Sequence, residues 1–153
     1  MTHMRRIMAL DLGTTRTGVA ITDPAQIIAQ PLTVLGSADG ASFHEALQRL
    51  VAEYQVERVI VGIPFSLNGR RGPMAHWAEG IRRRLAGALP VPVEPWDERL
   101  SSLSADRTFH DTGLFRSQGG HRQDAAAAAY ILQGYLDRLH VQHERQFPGP
   151  HQP

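Results

Sequence analysis

The chain has 153 residues and lacks cysteine, lysine and any long apolar run. Without cysteine it has no disulfides, no thiolate zinc site and no thiol nucleophile, and this composition fits a reducing compartment. No segment approaches the roughly 20 apolar residues that a membrane helix needs. The short N-terminal stretch before the first strand also lacks the pattern of a signal peptide. We therefore expect a cytoplasmic protein that has no membrane partner.

The absence of lysine leaves arginine to carry the positive charge of this chain. All 16 residues counted as Lys or Arg are arginine, and the formal net charge is +1. Guanidinium groups bind phosphate oxygens in a bidentate way that ammonium groups cannot match. A genome-wide preference for arginine codons is the simpler explanation, so composition alone does not establish a nucleic-acid partner.

The apolar pattern predicts one α/β domain over residues 1–153, with a flexible tail from about residue 141. Strands are predicted near 7–10, 19–22, 27–35, 59–63 and 91–96, and helices from Ser42, from Pro73, over 101–112 and over 123–140. This order favours a five-stranded mixed sheet flanked by helices, in which the first three strands are antiparallel. Pro31, Pro92 and Pro95 favour edge positions for the third and fifth strands, because proline cannot donate to a ladder.

Acidic residues stand at the ends of these elements. Asp11 ends the first strand, Asp97 and Glu98 follow the fifth, and Asp124 begins the last helix. Ligands of open α/β sheets bind at the carboxyl ends of the parallel strands, so three carboxylates converge there in this prediction. Clustered carboxylates repel one another and favour a hard divalent cation, and two such ions roughly 4 Å apart promote phosphodiester hydrolysis.

Each acid also has a simpler explanation when it is taken singly. Asp124 is a good helix N-cap. Asp97 could cap the turn that follows its strand, and Glu98 could merely pair with Arg99. Asp11 is harder to explain in this way, because an ionised carboxylate after a buried strand needs a partner that no neighbour in sequence supplies.

Four motifs in order resemble the YqgF/RuvX family of the ribonuclease-H-like superfamily, relatives of the Holliday junction resolvase RuvC. They are Asp11 to Ala20, Val61 to Pro64 with Asn68-Gly69, Asp97 to Ser101, and Asp124 to Leu132. The resemblance implies a ribonuclease-H-like fold and a metal-dependent endonuclease. It also implies that Asp11, Glu98 and Asp124 are the catalytic metal ligands, with Mg²⁺ or Mn²⁺ as cofactor and Glu98 preferred over Asp97.

The resemblance implies two substrates, which the sequence does not separate: the 5′ end of precursor 16S rRNA, and branched DNA such as four-way junctions. The candidate phosphate-binding residues are Arg16, Arg70, Arg99, Arg116 and Arg122. Cleavage of both strands of a symmetric junction would favour a two-fold homodimer.

Two other classes of protein stay open at this point. The stretch Asp11 to Thr15 also resembles the first phosphate loop of actin-like ATPases and sugar kinases, but those proteins clamp ATP between two such domains. We find no second loop of this kind in the 153 residues. The other alternative is a catalytically idle module that binds nucleic acid.

Overall fold

A computed structural model describes residues 5–66, 68–100 and 119–146 of the chain. The elements, in order, are β1 (Arg6–Asp11), β2 (Thr17–Thr22), β3 (Ala29–Leu35), α1 (Phe43–Glu53), β4 (Val56–Ile63), α2 (Pro73–Ala88), β5 (Val93–Asp97), a 3-10 turn (Glu98–Leu100) and α3 (Gly119–Gln146). The helix predicted over 101–112 lies outside the described residues.

The five strands form one mixed sheet in the order β3-β2-β1-β4-β5. β2 is antiparallel to both β1 and β3, whereas β4 is parallel to both β1 and β5. This arrangement confirms the predicted fold class. Pro31 and Pro95 lie on the two outer strands, where a missing backbone donor is tolerated.

Helices cover both faces of this sheet, and the alternation of side chains along each strand separates the two layers. Met8, Leu10 and Val61 point towards α1 and α2, where they pack with Leu47 and Leu85. On the other face, Ile7, Ala9, Ala20, Ile60 and Trp96 pack against Ala128, Ile131, Leu132 and Leu136 of α3. One face of the sheet is therefore covered by α1 and α2 and the other by α3; we call them the face of α1 and α2 and the α3 face.

The helix ends agree with the predictions in part. Pro73 is the first residue of α2, as predicted. Ser42 precedes α1, but its side chain makes no capping hydrogen bond. None of the helices in the described part of the chain is both long and apolar enough to span a membrane.

α3 is longer at both ends than the predicted helix over 123–140. It begins at Gly119, within the polar, glycine-containing stretch 113–121 that the sequence predicts as a loop, and it continues to Gln146. α3 therefore includes residues 141–146, the first part of the predicted tail. His143 and Arg145 lie in the last turn, where positive charge interacts favourably with the helix dipole.

Candidate active site

Asp11 ends β1 on the α3 face of the sheet. It lies two residues beyond Ala9, which packs against α3, so alternation directs its side chain to the same face. Asp11 pairs with Gly18 in the β1–β2 ladder, and in the turn between them the carbonyl oxygen of Gly13 accepts a hydrogen bond from the N–H of Ala38 at 3.2 Å. Asp11 therefore has a fixed backbone at the carboxyl end of a central strand.

Gly18 brings α3 close to this position. It pairs with Asp11 across the β1–β2 ladder, and a Cβ on Gly18 would overlap the backbone carbonyl oxygen of Asp124. A glycine within a strand commonly marks such a close approach of two backbones. Asp124 lies five residues after the start of α3, so it is not the N-cap of this helix.

The carboxylates of Asp11 and Asp124 interact electrostatically. Burial, reinforced by the negative charge of Asp124, raises the pKa of Asp11 from 3.8 to about 6. The cost of keeping Asp11 ionised therefore comes first from the loss of water and second from the neighbouring carboxylate.

Arg16 partly offsets the charge of Asp124. Its Nε lies 3.0 Å from Asp124 Oδ2, which is close enough for an ion pair. The N–H is not aligned with this oxygen, and within the described chain the buried Oδ2 accepts no hydrogen bond. Because buried polar atoms normally have partners, this oxygen is available to a further cation or donor.

Glu98 reaches the same region from the end of β5. A Cβ on Gly62 would lie 2.7 Å from Glu98 Oε1 and 2.7 Å from Ile131 Cδ1, so the glutamate side chain lies directly over this glycine. Asp11, Gly62 and Glu98 line one cleft of about 230 Å³, together with Leu12, Pro64, Met74, Trp77 and Ala78.

Asp97, the alternative to Glu98, has a different role. Arg99 Nε lies 3.0 and 3.1 Å from the two carboxylate oxygens of Asp97, and Arg99 Nη2 lies 2.6 Å from Oδ2. The hydrogen bonds from Arg99 lower the pKa of Asp97. Asp97 is thus occupied by a neighbouring guanidinium, and Glu98 is the carboxylate that lines the cleft.

The predicted acids are near one another without forming a closed metal site. Asp11 interacts with Asp124 and shares a cleft with Glu98. Among the residues that the structure describes, no group of three acidic or histidine side chains is arranged to hold a metal ion.

The predicted arginines are distributed unevenly around these acids. Arg16 contacts Asp124, Arg99 contacts Asp97, and Arg70 is exposed in the loop after β4. Arg122 belongs to the first turns of α3, but its side chain is not described, and Arg116 lies outside the described residues.

Sequence reasoning missed the two glycines that shape the site. Gly18 and Gly62 stand inside apolar strand patterns, and that position was itself a signal of close approach. The contact between Arg71 and Phe65 beside the cleft was also missed, although the adjacent arginines Arg70-Arg71 stand out in the sequence as a dense basic cluster.

Relatives with known names match nearly the whole chain. A protein from Moorella thermoacetica is 42% identical over 134 residues, covering 88% of this chain and 96% of its own. A protein from Chloroflexus aurantiacus strain J-10-fl is 39% identical over 145 residues, covering 95% of both chains. Both carry the provisional name pre-16S rRNA nuclease.

Solved structures show the same fold at much lower identity. Thermus thermophilus RuvC in complex with a Holliday junction substrate matches with a TM-score of 0.54 and 19% identity, covering 88% of this chain and 96% of that one. The fowlpox virus Holliday junction resolvase matches with a TM-score of 0.50 and 13% identity, covering 87% and 99%. These likenesses confirm the ribonuclease-H-like architecture.

The sequence family itself is shown by a match to a family model. The model of the RuvX family, described as Holliday junction resolvase, matches residues 5–138. This range includes the five strands of the described sheet, and also Asp11, Glu98 and Asp124. The chain belongs to the RuvX family.

Proposed function

We propose that this protein is a divalent-metal-dependent endonuclease that hydrolyses phosphodiester bonds in structured nucleic acid. The substrates would be the 5′ end of precursor 16S rRNA, branched DNA, or both. Family membership and the names of the relatives support nuclease action. The observation that carries the proposal is the pair formed by Asp11 and Asp124, two interacting carboxylates beside the cleft that Glu98 lines.

The donor set fits Mg²⁺ or Mn²⁺. Asp11, Glu98 and Asp124 supply only carboxylate oxygens, which hard divalent cations prefer, and Asp124 Oδ2 has no hydrogen-bond donor in the described chain. The cation would polarise the phosphodiester and lower the pKa of a water molecule. The repulsion between Asp11 and Asp124 is also relieved when a cation neutralises them.

Arg16 has two tasks in this proposal. Without metal, its guanidinium offsets the charge of Asp124 at 3.0 Å. Its side chain remains 42% exposed, so it can also reach a phosphate outside the cleft. We infer that Arg16 turns to the substrate once Asp124 binds the cation, because a guanidinium binds phosphate oxygens well.

Family membership disfavours the actin-like ATPase alternative, since the matching model covers the phosphate-loop-like segment and all the strands. The idle nucleic-acid-binding module remains an outcome of the experiment below. A homodimer would present two sites to a symmetric junction, and this remains a prediction.

The test is a cleavage assay on a four-way DNA junction and on a precursor 16S rRNA fragment, with Mg²⁺, with Mn²⁺ and with EDTA. We expect Asp11→Asn to lower the cleavage rate about a hundredfold or more, because it removes an anionic ligand. Asp137→Asn is the matched control, since Asp137 is exposed on α3.

Cleavage by Asp11→Asn at the wild-type rate would overturn the proposal. Nucleic-acid binding by wild type without cleavage, together with no Mn²⁺ binding in isothermal titration, would instead identify the idle module.

A further inference from the structure

Three residues form a cation-π cluster at the edge of the cleft, which we call the Phe65 cluster. The Cζ atom of Arg71 lies 5.6 Å from the centroid of the Phe65 ring, and the Cζ atom of Arg99 lies 5.5 Å from it. Both distances are within the range of an attractive cation-π contact. Phe65 is half-buried and packs against the core on the face of α1 and α2, so the ring is a fixed support for both guanidiniums.

The Phe65 cluster adjoins the proposed active site on two walls. Pro64 and Glu98 line the cleft, and the residues that directly follow them are Phe65 and Arg99. A nucleic-acid strand that placed a phosphodiester beside Glu98 would therefore lie near the cluster. The neighbouring phosphates of that strand are the groups that the cluster can reach.

The two guanidiniums of the cluster differ in their partners. Arg99 donates from Nε and Nη2 to Asp97, which largely offsets its charge. Arg71 is exposed and, among the described residues, forms no ion pair with a carboxylate. Arg71 therefore contributes an unbalanced positive charge whose N–H groups remain available.

The loop that carries Arg71 is held by its own hydrogen bonds. The N–H of Gly69 donates to the carbonyl oxygen of Ser66 at 2.9 Å. The N–H of Ser66 donates to the carbonyl oxygen of Arg70 at 3.1 Å. Gly69 has a φ of 82°, which a residue other than glycine rarely adopts. The turn therefore fixes the direction in which the chain returns to Arg71.

We propose that the Phe65 cluster binds a backbone phosphate of the strand that enters the cleft. Arg71 is the binding residue, and Phe65 is a positioning residue that holds its guanidinium. A guanidinium held against a ring has lost much of its freedom before binding, so less is lost when it meets the phosphate. The inference rests on the proposed nuclease function, and phosphate chemistry is common to DNA and RNA.

The experiment measures binding without cleavage. Fluorescence anisotropy of short single-stranded DNA and RNA probes of the same sequence is followed in EDTA over a series of KCl concentrations. The variants are Arg71→Ala, Arg71→Lys and Phe65→Leu. Arg49→Ala is the matched control, because Arg49 is also exposed but lies on α1. Thermal denaturation confirms that each variant is folded.

We expect Arg71→Ala to weaken binding of both probes several-fold and to reduce the slope of log K against log[KCl] by about 0.7, the value for one phosphate contact on a single strand. Phe65→Leu should weaken binding about two- to fivefold while the slope stays at the wild-type value, because the charge remains but its support is lost. Arg71→Lys should retain the slope and bind more weakly than wild type. An effect on one probe alone would restrict the contact to that nucleic acid.

An Arg71→Ala variant whose affinity and slope match those of Arg49→Ala would overturn the inference. Wild-type affinity in Phe65→Leu would overturn the positioning role. These outcomes are independent of the cleavage assay: a wild type that cleaves normally while Arg71→Ala binds unchanged defeats the cluster and leaves the nuclease proposal intact.

Discussion

The two faces of the sheet are packed by residues of different size. On the face of α1 and α2, the central strands present Met8, Leu10, Val61 and Ile63, all nearly fully buried. On the α3 face, the same strands present Ile7 and Ile60, but the residues there also include Ala9, Gly18, Ala20 and Gly62. Large side chains separate a helix from a sheet, whereas alanine and glycine allow the two backbones to approach.

This difference distinguishes the main apolar core from the side of the sheet where the carboxylates of the proposed active site meet. The face of α1 and α2 buries the larger aliphatic cluster, so it supplies much of the hydrophobic stabilisation. The α3 face contributes less apolar volume, but it places Asp124 beside Asp11 and Glu98 over Gly62. The carboxylates are thus clustered at the expense of apolar burial.

Gly18→Ala is expected to change the packing of the α3 face, and the stability of the protein, more than Asp11→Asn or Arg16→Ala. The new Cβ would overlap a backbone oxygen of Asp124, which cannot rotate away, so α3 must move from the sheet. We expect the free energy of unfolding to fall by about 3 kcal/mol or more in urea denaturation, with loss of cleavage. Gly36→Ala is the control, because a Cβ there meets nothing within 4 Å. Equal stability of the two variants would show that the close approach is not required.

A second prediction concerns the metal-free stability of Asp11→Asn. The pKa of Asp11 is raised from 3.8 to about 6 in the folded state, so the folded protein binds more protons than the unfolded chain between these values. Stability of the wild type therefore falls as the pH rises from about 4 to about 6, and the penalty is fully present above that range.

Asp11→Asn removes the penalty and should raise the free energy of unfolding by about 2 kcal/mol at neutral pH in EDTA. Urea denaturation of both proteins across pH 4 to 8 measures the difference, which should shrink towards acid pH. A variant that is less stable than wild type at neutral pH in EDTA would contradict this account of Asp11.

The smallest effect is expected from Arg16→Ala. Loss of the guanidinium leaves the charge of Asp124 without its partner at 3.0 Å, but the pair is partly exposed, so we expect a loss of roughly 0.5 to 1 kcal/mol. Thermal denaturation in EDTA measures this loss. Mn²⁺ should reduce the difference in stability between Arg16→Ala and wild type, because the cation would then neutralise Asp124 in place of Arg16. A difference that Mn²⁺ leaves unchanged would argue that Arg16 merely braces the hairpin.

Much of the fold was predictable because strands and helices leave local patterns of apolar and polar residues in the sequence. Apolar runs located the strands, and proline placed β3 and β5 at the edges. The ends of α3 were predicted wrongly, since Gly119-Gly120 indicated a loop and the polar residues after His140 indicated a tail. A helix whose centre is well packed can extend through such residues, because adding a residue to an existing helix is easier than starting one. The local composition of the sequence does not show how well that centre is packed.

The sequence by itself determined the family, the order of the elements along the chain, and the presence of acidic residues at or directly after the ends of β1 and β5 and near the start of the last helix. The tertiary structure alone decided that Glu98 lines the cleft while Asp97 binds Arg99, and that Arg16 pairs with Asp124. The patterns that predict strands involve residues only a few positions apart, so they can be recognised in the sequence. The meeting of Asp11 with Asp124 depends on residues more than a hundred positions apart, and only the packing of α3 on Gly18 brings them together.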